Sequence, residues 1–286
     1  AQGVAKAKRL GPAGHLRLAR WRETGGLIGI CVASASPAVF AAVSSVPFAM
    51  FAGVFAAMTC MAALAMAGEW DRDMIRQPQA FAHVLRDRTA RQILLIGLVN
   101  AAPVAVTSTL FLFYVESRLT APDAAGPLLL LFFMSAALAA PLWTFLAERF
   151  GLKRVLRAAM GLAIFSLFWV LFLNSGDVIA FGVICVLSGA AVGADMTLIP
   201  AVFAQRIAHI GASTTDGFGL WSFVSKFSLA VAAVILLPSL EFADFRSGQE
   251  NSAAALGVLT WTYALVPCAL KLLAIAVLQR TDLRES

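Results

Sequence analysis

Hydrophobic residues in this chain form long uninterrupted runs, and polar residues gather in the short segments between them. Eight runs of roughly twenty residues are present, the length that one crossing of a bilayer needs. They are too long for the alternating strands of about ten residues that build a membrane barrel, so each is predicted to be an α-helix. The predicted spans are 25–45, 48–67, 92–115, 124–147, 157–174, 178–201, 217–240 and 254–278.

The composition supports a membrane protein. The chain is 60% hydrophobic and 13% charged, whereas soluble domains carry about 25% charged residues. This leaves too little polar surface to coat a soluble globule. The net charge of +6 would suggest a nucleic-acid partner in a soluble protein, but these basic residues flank apolar spans, so none is predicted. The four cysteines stand singly inside apolar runs, which predicts neither a metal site nor disulfides.

The basic residues between the spans predict the orientation. Of the 22 Lys and Arg residues, eighteen lie in the first 24 residues, in alternate connections and in the C-terminal tail, and the opposite connections hold only Arg118 and Arg246. Because basic connections stay in the cytoplasm, both termini are predicted to be cytoplasmic. The segment 69–91 is the longest cytoplasmic connection. It is predicted to be either a bare linker or a short amphipathic helix on the membrane surface.

Lys226 stands in the middle of the span 217–240, about 14 Å from its start at 1.5 Å per residue. On a helical wheel it shares a face with small and polar residues, while bulky residues occupy the opposite face. A charge at this depth is costly unless it is paired or hydrated. Lys226 is therefore predicted to face a water-filled cavity, with a snorkelling side chain and a structural ion pair as the alternatives. The small face consists of Gly219, Ser222, Lys226, Ala230 and Ala233.

The turn AERFGLKRVLR, residues 147–157, joins two spans. Its ordered string of acid, arginine, glycine and paired basic residues resembles the cytoplasmic loop motif of the major facilitator superfamily. The motif residues are Glu148, Arg149, Gly151, Lys153 and Arg154. By this resemblance, the spans 92–115 and 124–147 are helices seven and eight of twelve.

Longer strings resemble one family of that superfamily, the glycoside–pentoside–hexuronide:cation symporters. They are NAAPVAVTSTLFLFYVESRL at 100–119, PLWTFLAERFGLKRVL at 141–156, GADMTLIPAVFA at 193–204 and GFGLWSFVSKFSLAVAA at 217–233. The resemblance implies an all-α, polytopic helix bundle in which the eight spans are helices five to twelve, the C-terminal two-thirds of a symporter. Residues 1–68 would end the N-terminal bundle, 69–91 would be the linker, and 92–286 would form the C-terminal six-helix bundle.

The same resemblance implies the activity and its partners. It predicts cation-coupled symport of a sugar or glycoside by alternating access, with a proton or sodium ion as the coupling ion and membrane lipid as the surroundings. It predicts no cofactor and a bacterial inner membrane as the location. Arg22, Lys226 and Ser222 match positions of the family's sugar pocket. The lysine that Lys226 matches also lies at the family's cation pocket, so the resemblance makes Lys226 a candidate for cation coupling or gating as well. For Arg22, an interfacial anchor beside the first span is the alternative.

Three further residues are candidates on chemical grounds. Asp195 is a carboxylate inside a span, which predicts cation coupling or gating; a bridge to a basic residue or a role in helix packing is the alternative. Asn100 can hydrogen-bond a hydroxylated substrate, and Trp221 can stack on a sugar face; packing or interface roles are the alternatives.

One departure from the family's pattern leaves other functions open. Gln205 and Ala208 stand where family members commonly carry acids. A truncated or degenerate protein that does not transport therefore remains an alternative, as does a carrier of lysolipids. The catalytic motifs HExxH and GxSxG and the phosphate-binding GxxxxGK[ST] are not found, so neither an enzyme nor an ATP-driven pump is predicted.

Overall fold

In a computed structural model of the chain, the described residues are 43–67, 81–212 and 214–281, with scattered positions between 25 and 40. Regular secondary structure in these residues is helical throughout. The helices with bounds are α1 Pro47–Met66, α2 Ala82–Arg86, α3 Arg88–Phe113, α4 Ala125–Phe150, α5 Leu152–Phe168, α6 Val178–His209, α7 Thr214–Phe242 and α8 Ala253–Arg280.

Six of these helices, α3 to α8, are long and apolar enough to cross a bilayer. This finding confirms the last six predicted spans, although several helices extend beyond the predicted bounds. The second predicted span coincides with α1, in which the stretch Ala49–Ala65 is apolar. The first predicted span and Arg22 lie largely or wholly outside the described residues. The protein is an all-helical integral membrane protein.

The start of α3 differs from the prediction, because the helix begins at Arg88, inside the predicted linker 69–91. Asp87 explains this start. Its side chain accepts a hydrogen bond of 2.7 Å from the backbone nitrogen of Ala90, which satisfies one of the amides that a helix start leaves free. The short helix α2 precedes it, so part of the predicted connection is helical.

The turn between α4 and α5 depends on Gly151. This residue ends α4 and has a φ angle of 88°, a left-handed conformation that a residue with a side chain adopts only with strain. One residue therefore suffices to reverse the chain. Glu148, Arg149, Lys153 and Arg154 lie around this turn, and we call this end of the bundle the basic end.

The six long helices pack in a definite order. Helices α3, α6, α5 and α8 form a closed ring in which each contacts the next and α8 contacts α3. Helix α4 packs mainly on α6, and α7 packs mainly on α3. The two flanking helices are correspondingly the most exposed of the six.

The interface between α4 and α6 is the closest in the bundle. Cβ atoms added at Gly189 and Gly193 would lie 2.3 Å and 2.5 Å from the carbonyl oxygens of Phe132 and Ala136, so only glycine fits at either position. Two glycines four residues apart allow helix backbones to approach in this way. Trp143 Nε1 also donates a hydrogen bond of 2.7 Å to a carbonyl oxygen of α6. This pair of helices therefore forms a tight seam.

Buried apolar residues form two separate clusters along the bundle. One lies toward the basic end and includes Ile93, Phe203 and Leu278; the other lies toward the opposite end and includes Leu110, Phe181 and Leu259. Polar side chains occupy the level between the clusters. The candidate site lies at this level.

Candidate functional site

A cavity of about 630 Å³ opens between α3, α6 and α7. Its apolar wall comes mostly from small and aliphatic residues of these three helices. Each of the three helices contributes polar groups to the wall. A cavity of this volume is typical of small-molecule sites. The polar and indole side chains in the wall are Asn100, Ser108, Asp195, Trp221, Ser222 and Ser225.

Asp195 belongs to a buried three-residue cluster at the wall of this cavity. The Lys271 ammonium donates one hydrogen bond to Asp195 Oδ2 and another, of 2.6 Å, to Asn100 Oδ1. Lys271 is 1% exposed and Asp195 is 8% exposed. The cluster thus joins α3, α6 and α8, and each of its members lies at least two turns from the nearest helix end. An ion pair at this depth is tolerated because each charge has its partner.

One oxygen of the cluster has no partner. Asp195 Oδ1 is buried and accepts no hydrogen bond from any described residue. An unsatisfied buried oxygen is unusual in a native structure. The carboxylate is therefore held by its Oδ2 atom alone.

Aromatic rings close the cavity toward the basic end. The Trp221 indole lies directly over Gly97, where an added Cβ would approach the ring to 2.8 Å. The same indole packs against the Phe203 ring at a centroid distance of 5.4 Å, and Phe203 in turn contacts Phe218 edge-on at 6.3 Å. Glycine at position 97 is what lets the indole lie this close to α3.

A second, smaller cavity of about 240 Å³ lies farther from the basic end. It shares Val104, Ser108 and Val192 with the first cavity, so the two adjoin along α3 and α6. Its lining is mainly aromatic and aliphatic, with Phe111, Phe132, Phe133 and Phe181 among its residues. Asp195 lines the first cavity and Lys271 lines the second, so the ion pair stands between them.

The structure brings four of the predicted site residues together. Asn100, Asp195, Trp221 and Ser222 all line the larger cavity. The predicted alternative for Asp195, a bridge to a basic residue, is also present, because Asp195 pairs with Lys271. Asp195 therefore lines the cavity and forms the ion pair at the same time.

Lys226 lies in a different environment from the one predicted for it. The side chain is exposed and is not among the residues that line the cavity. At 100° per residue it lies about 40° around α7 from Ser222 and about 160° from Ser228, which faces α3. Ser228 Oγ donates a hydrogen bond of 3.2 Å to the Leu98 carbonyl oxygen, which fixes that side of α7 against α3. Lys226 therefore flanks the cavity on the uncovered side of the helix.

Lys271 is the residue that sequence reasoning missed. The signal was available, since Lys271 and Asp195 are intramembrane residues of opposite charge in different predicted spans. Lys271 also lies on the same helical stripe as Ala264, Pro267 and Ala274, all of which are buried. A charge within a buried apolar stripe indicates a partner inside the protein.

The loop-motif residues lie away from the cavity, at the basic end. At this end of the bundle, Asp87 and Arg206 form an ion pair. Arg206 Nε donates to Asp87 Oδ1 at 3.0 Å, and its Nη2 donates to Oδ2 at 2.7 Å. These hydrogen bonds from Arg206 are the largest cause that lowers the pKa of Asp87 below its ordinary value of 3.8. The pair joins the start of α3 to the end of α6.

A helix bundle that holds a polar cavity at mid-depth has the architecture of a membrane transporter. Comparison with known proteins agrees. A family model described as "MFS/sugar transport protein" matches residues 11–285. The chain belongs to this family of the major facilitator superfamily, which places it among transporters rather than enzymes.

One relative illustrates how far the likeness extends. The chain is 24% identical over 157 residues to the sphingosine-1-phosphate transporter MFSD2B of Xenopus tropicalis. The match covers 52% of this chain and 30% of that protein. The chain thus matches less than a third of the length of this relative.

Proposed function

We propose that the protein acts in the secondary active transport of a sugar or glycoside, coupled to a cation, by alternating access. The cavity between α3, α6 and α7 supports this proposal most directly. Its amide, carboxylate and hydroxyl groups suit a solute rich in hydroxyls, and the Trp221 indole offers an apolar face to a sugar ring. Ligand and coupling-ion sites in transporters commonly lie at this depth.

Lys226, at the edge of the cavity, enters the proposal as a substrate ligand, and Arg22, which lies outside the described residues, enters it as a second ligand. Lys226 lies one turn from Ser222, and together with the exposed small face of α7 it borders the cavity on its open side. A substrate approaching from that side would meet the ammonium first. Asp195 enters as the coupling or gating group.

The proposal includes the arrangement of the chain in the membrane. The basic end faces the cytoplasm of a bacterium, with both termini on that side of the inner membrane. Residues 69–91 connect an N-terminal bundle, to which 1–68 belong, to the C-terminal bundle. Eighteen basic residues on one side of the predicted spans support this orientation.

Uptake of a panel of labelled sugars into lipid vesicles that contain the full chain tests the proposal. We expect Ser222→Ala and Trp221→Ala to reduce uptake several-fold, because each removes a group from the cavity wall. Ser239→Ala is the matched control, since Ser239 lies on α7 away from the cavity. Equal uptake by all three variants would contradict the assignment of the cavity.

A lysolipid or similar amphiphile is the second candidate. The adjoining aromatic cavity favours it, since a polar head in the larger cavity would leave an acyl chain beside Phe132 and Phe133. The similarity to a protein named as a sphingosine-1-phosphate transporter points the same way. Leu129→Trp, which fills the smaller cavity, should then block uptake of a labelled lysophospholipid and leave sugar uptake unchanged.

The third alternative, a protein that no longer transports, makes its own prediction. A folded, membrane-inserted chain that carries neither the sugars nor the lysophospholipid would support it. Circular dichroism and thermal unfolding of the protein in the vesicles used for uptake establish whether the chain is folded.

A further inference from the structure

We propose that Asp195 is the site at which this transporter takes up its coupling proton, and that the Lys271 ammonium occupies the place a sodium ion would need. The proposal rests on the proposed function and names the coupling ion and the residues that bind it. It starts from the buried cluster of Lys271, Asp195 and Asn100, in which one carboxylate oxygen has no partner.

The cluster binds a cation that belongs to the protein itself, the Lys271 ammonium. Two side-chain oxygens, Asn100 Oδ1 and Asp195 Oδ2, converge on the Lys271 nitrogen. A sodium ion would have to use the same oxygens and would lie beside a positive charge that repels it. In the part of the chain that the structure describes, no group of three or more His, Cys, Asp or Glu side chains could hold a metal ion instead.

The unpartnered Oδ1 atom distinguishes this cluster from a purely structural ion pair. A static pair gains from hydrogen bonds to every remaining lone pair, and this carboxylate lacks them on one oxygen. Neutralising Asp195 removes the charge that is incompletely satisfied. A proton is the one cation that can do so without displacing Lys271 from Asn100.

The position of the pair gives the proton a path and an effect. Asp195 belongs to the wall of the larger cavity, through which water can deliver a proton, while Lys271 belongs to the wall of the smaller one. Protonation breaks the ion pair between α6 and α8 and leaves Lys271 bound to Asn100 on α3. Loss of the proton restores the link, so one proton controls whether α6 and α8 are tied together.

Other charged groups do not compete for this role. Among the described residues of the long helices, Lys226 is the remaining charged side chain in the middle of a helix, and it is exposed on α7. The others on the long helices, or just beyond their ends, lie within about two turns of a helix end. They are Arg88, Arg91, Glu116, Arg118, Glu148, Arg149, Lys153, Arg154, Arg157, Asp216, Glu241 and Arg280. On α6 itself, Arg206 and His209 lie in the last turn, and Cys185 is a buried thiol without charge.

Infrared difference spectroscopy of the purified full chain in lipid tests the proposal without any substrate. Lowering the pH stepwise should produce the band of a protonated carboxyl group, and this group should exchange slowly in D₂O because Asp195 is buried. Asp195→Asn should lose this band. Asp123→Asn, which changes an exposed acid, should keep it. An identical spectrum for Asp195→Asn and the unaltered protein would overturn the proposal.

A second variant guards against misfolding. If Asp195→Asn alone does not fold, the double variant Asp195→Asn, Lys271→Gln removes both charges and keeps a polar side chain at each position, and it should lose the band as well. Replacing potassium by sodium should leave the spectrum unchanged. A sodium-dependent change that Asp195→Asn abolishes would show a metal-ion site and contradict the proposal.

The outcome is separable from that of the proposed function. If no sugar is taken up, the transport proposal fails while the carboxyl band still reports on Asp195. If sugars are taken up, a pH gradient should drive their accumulation and a sodium gradient should not. Accumulation driven by sodium alone would contradict proton coupling even with transport confirmed.

Discussion

Two lysines stand within the membrane spans of this protein, and their surroundings are opposite. Lys271 lies on the buried stripe of α8, where a carboxylate and an amide bind its ammonium. Lys226 lies on the exposed side of α7, next to a cavity but outside its wall. Both are deep in their spans, so depth alone does not distinguish them. The helix face on which a charged residue lies decides whether its side chain is paired inside the bundle or exposed at the surface beside the cavity.

The largest effect should come from removing one lysine and not the other. Lys271→Met leaves Asp195 buried without its counter-ion, and we expect a loss of about 3–5 kcal/mol in the free energy of unfolding. Lys226→Met, the matched control, should change it by no more than about 0.5 kcal/mol, because an exposed side chain is replaced. Thermal or denaturant unfolding in detergent measures both. Equal losses would show that the two lysines do not differ as described.

Removing both members of the buried pair sharpens this comparison. Asp195→Asn combined with Lys271→Met leaves no charge without a partner, so the double variant should be more stable than Lys271→Met alone. A coupling of at least about 1 kcal/mol in a double-mutant cycle is expected for groups in direct contact. Additive effects would argue against the ion pair.

A smaller effect is expected at the tight seam between α4 and α6. The helices are in close contact there, whereas the side of α7 that carries Lys226 is uncovered. Gly193→Ala places a Cβ 2.5 Å from the Ala136 carbonyl oxygen, so α4 and α6 must move apart. We expect a loss of about 1–3 kcal/mol, the usual range for overpacking. Gly161→Ala is the control, since no atom lies within 4 Å of its added Cβ. It should be neutral or stabilise α5 by up to about 1 kcal/mol. Similar losses for both variants would contradict the close approach at the seam.

The smallest effect should come from Asp87 at the basic end. Asp87→Ala removes the cap of α3 and the ion pair with Arg206, and a lost cap typically costs about 0.5–2 kcal/mol. Because the folded state lowers the pKa of Asp87 below 3.8, its contribution is present above that pH and disappears as the pH falls through the lowered value. The difference in stability between Asp87→Ala and the unaltered protein should therefore be constant between about pH 5 and pH 8. A difference that falls within this window would contradict the assigned shift.

The sequence predicts more of the fold than of the candidate site. The six long helices follow from apolar runs, because a span must satisfy its own backbone hydrogen bonds wherever it lies in the bundle. Asn100, Asp195, Trp221 and Ser222 could be singled out as polar or aromatic groups in apolar spans. That they share one wall depends on α3, α6 and α7 being neighbours, which no pattern within a single helix encodes.

Lys271 shows the limit of reasoning helix by helix. Its chemistry is visible in the sequence, but its partner lies 76 residues away in the chain, and only the arrangement of the whole bundle brings the two side chains of α6 and α8 together. Lys226 shows the reverse case. Its face was correctly recognised as small and polar, yet whether that face is covered depends on the neighbouring helices.

Thiol accessibility along α7 tests most directly whether the cavity is the water-filled path for the solute. After the four native cysteines are replaced by alanine, Ser222→Cys, Lys226→Cys and Ile235→Cys each place one thiol on this helix. A charged reagent that does not cross the membrane should label Ser222→Cys and Lys226→Cys in sealed vesicles. It should leave Ile235→Cys unlabelled, because Ile235 is an exposed apolar residue and we expect its face of α7 to lie against lipid. Labelling of Ile235→Cys together with an unreactive Ser222→Cys would contradict the account.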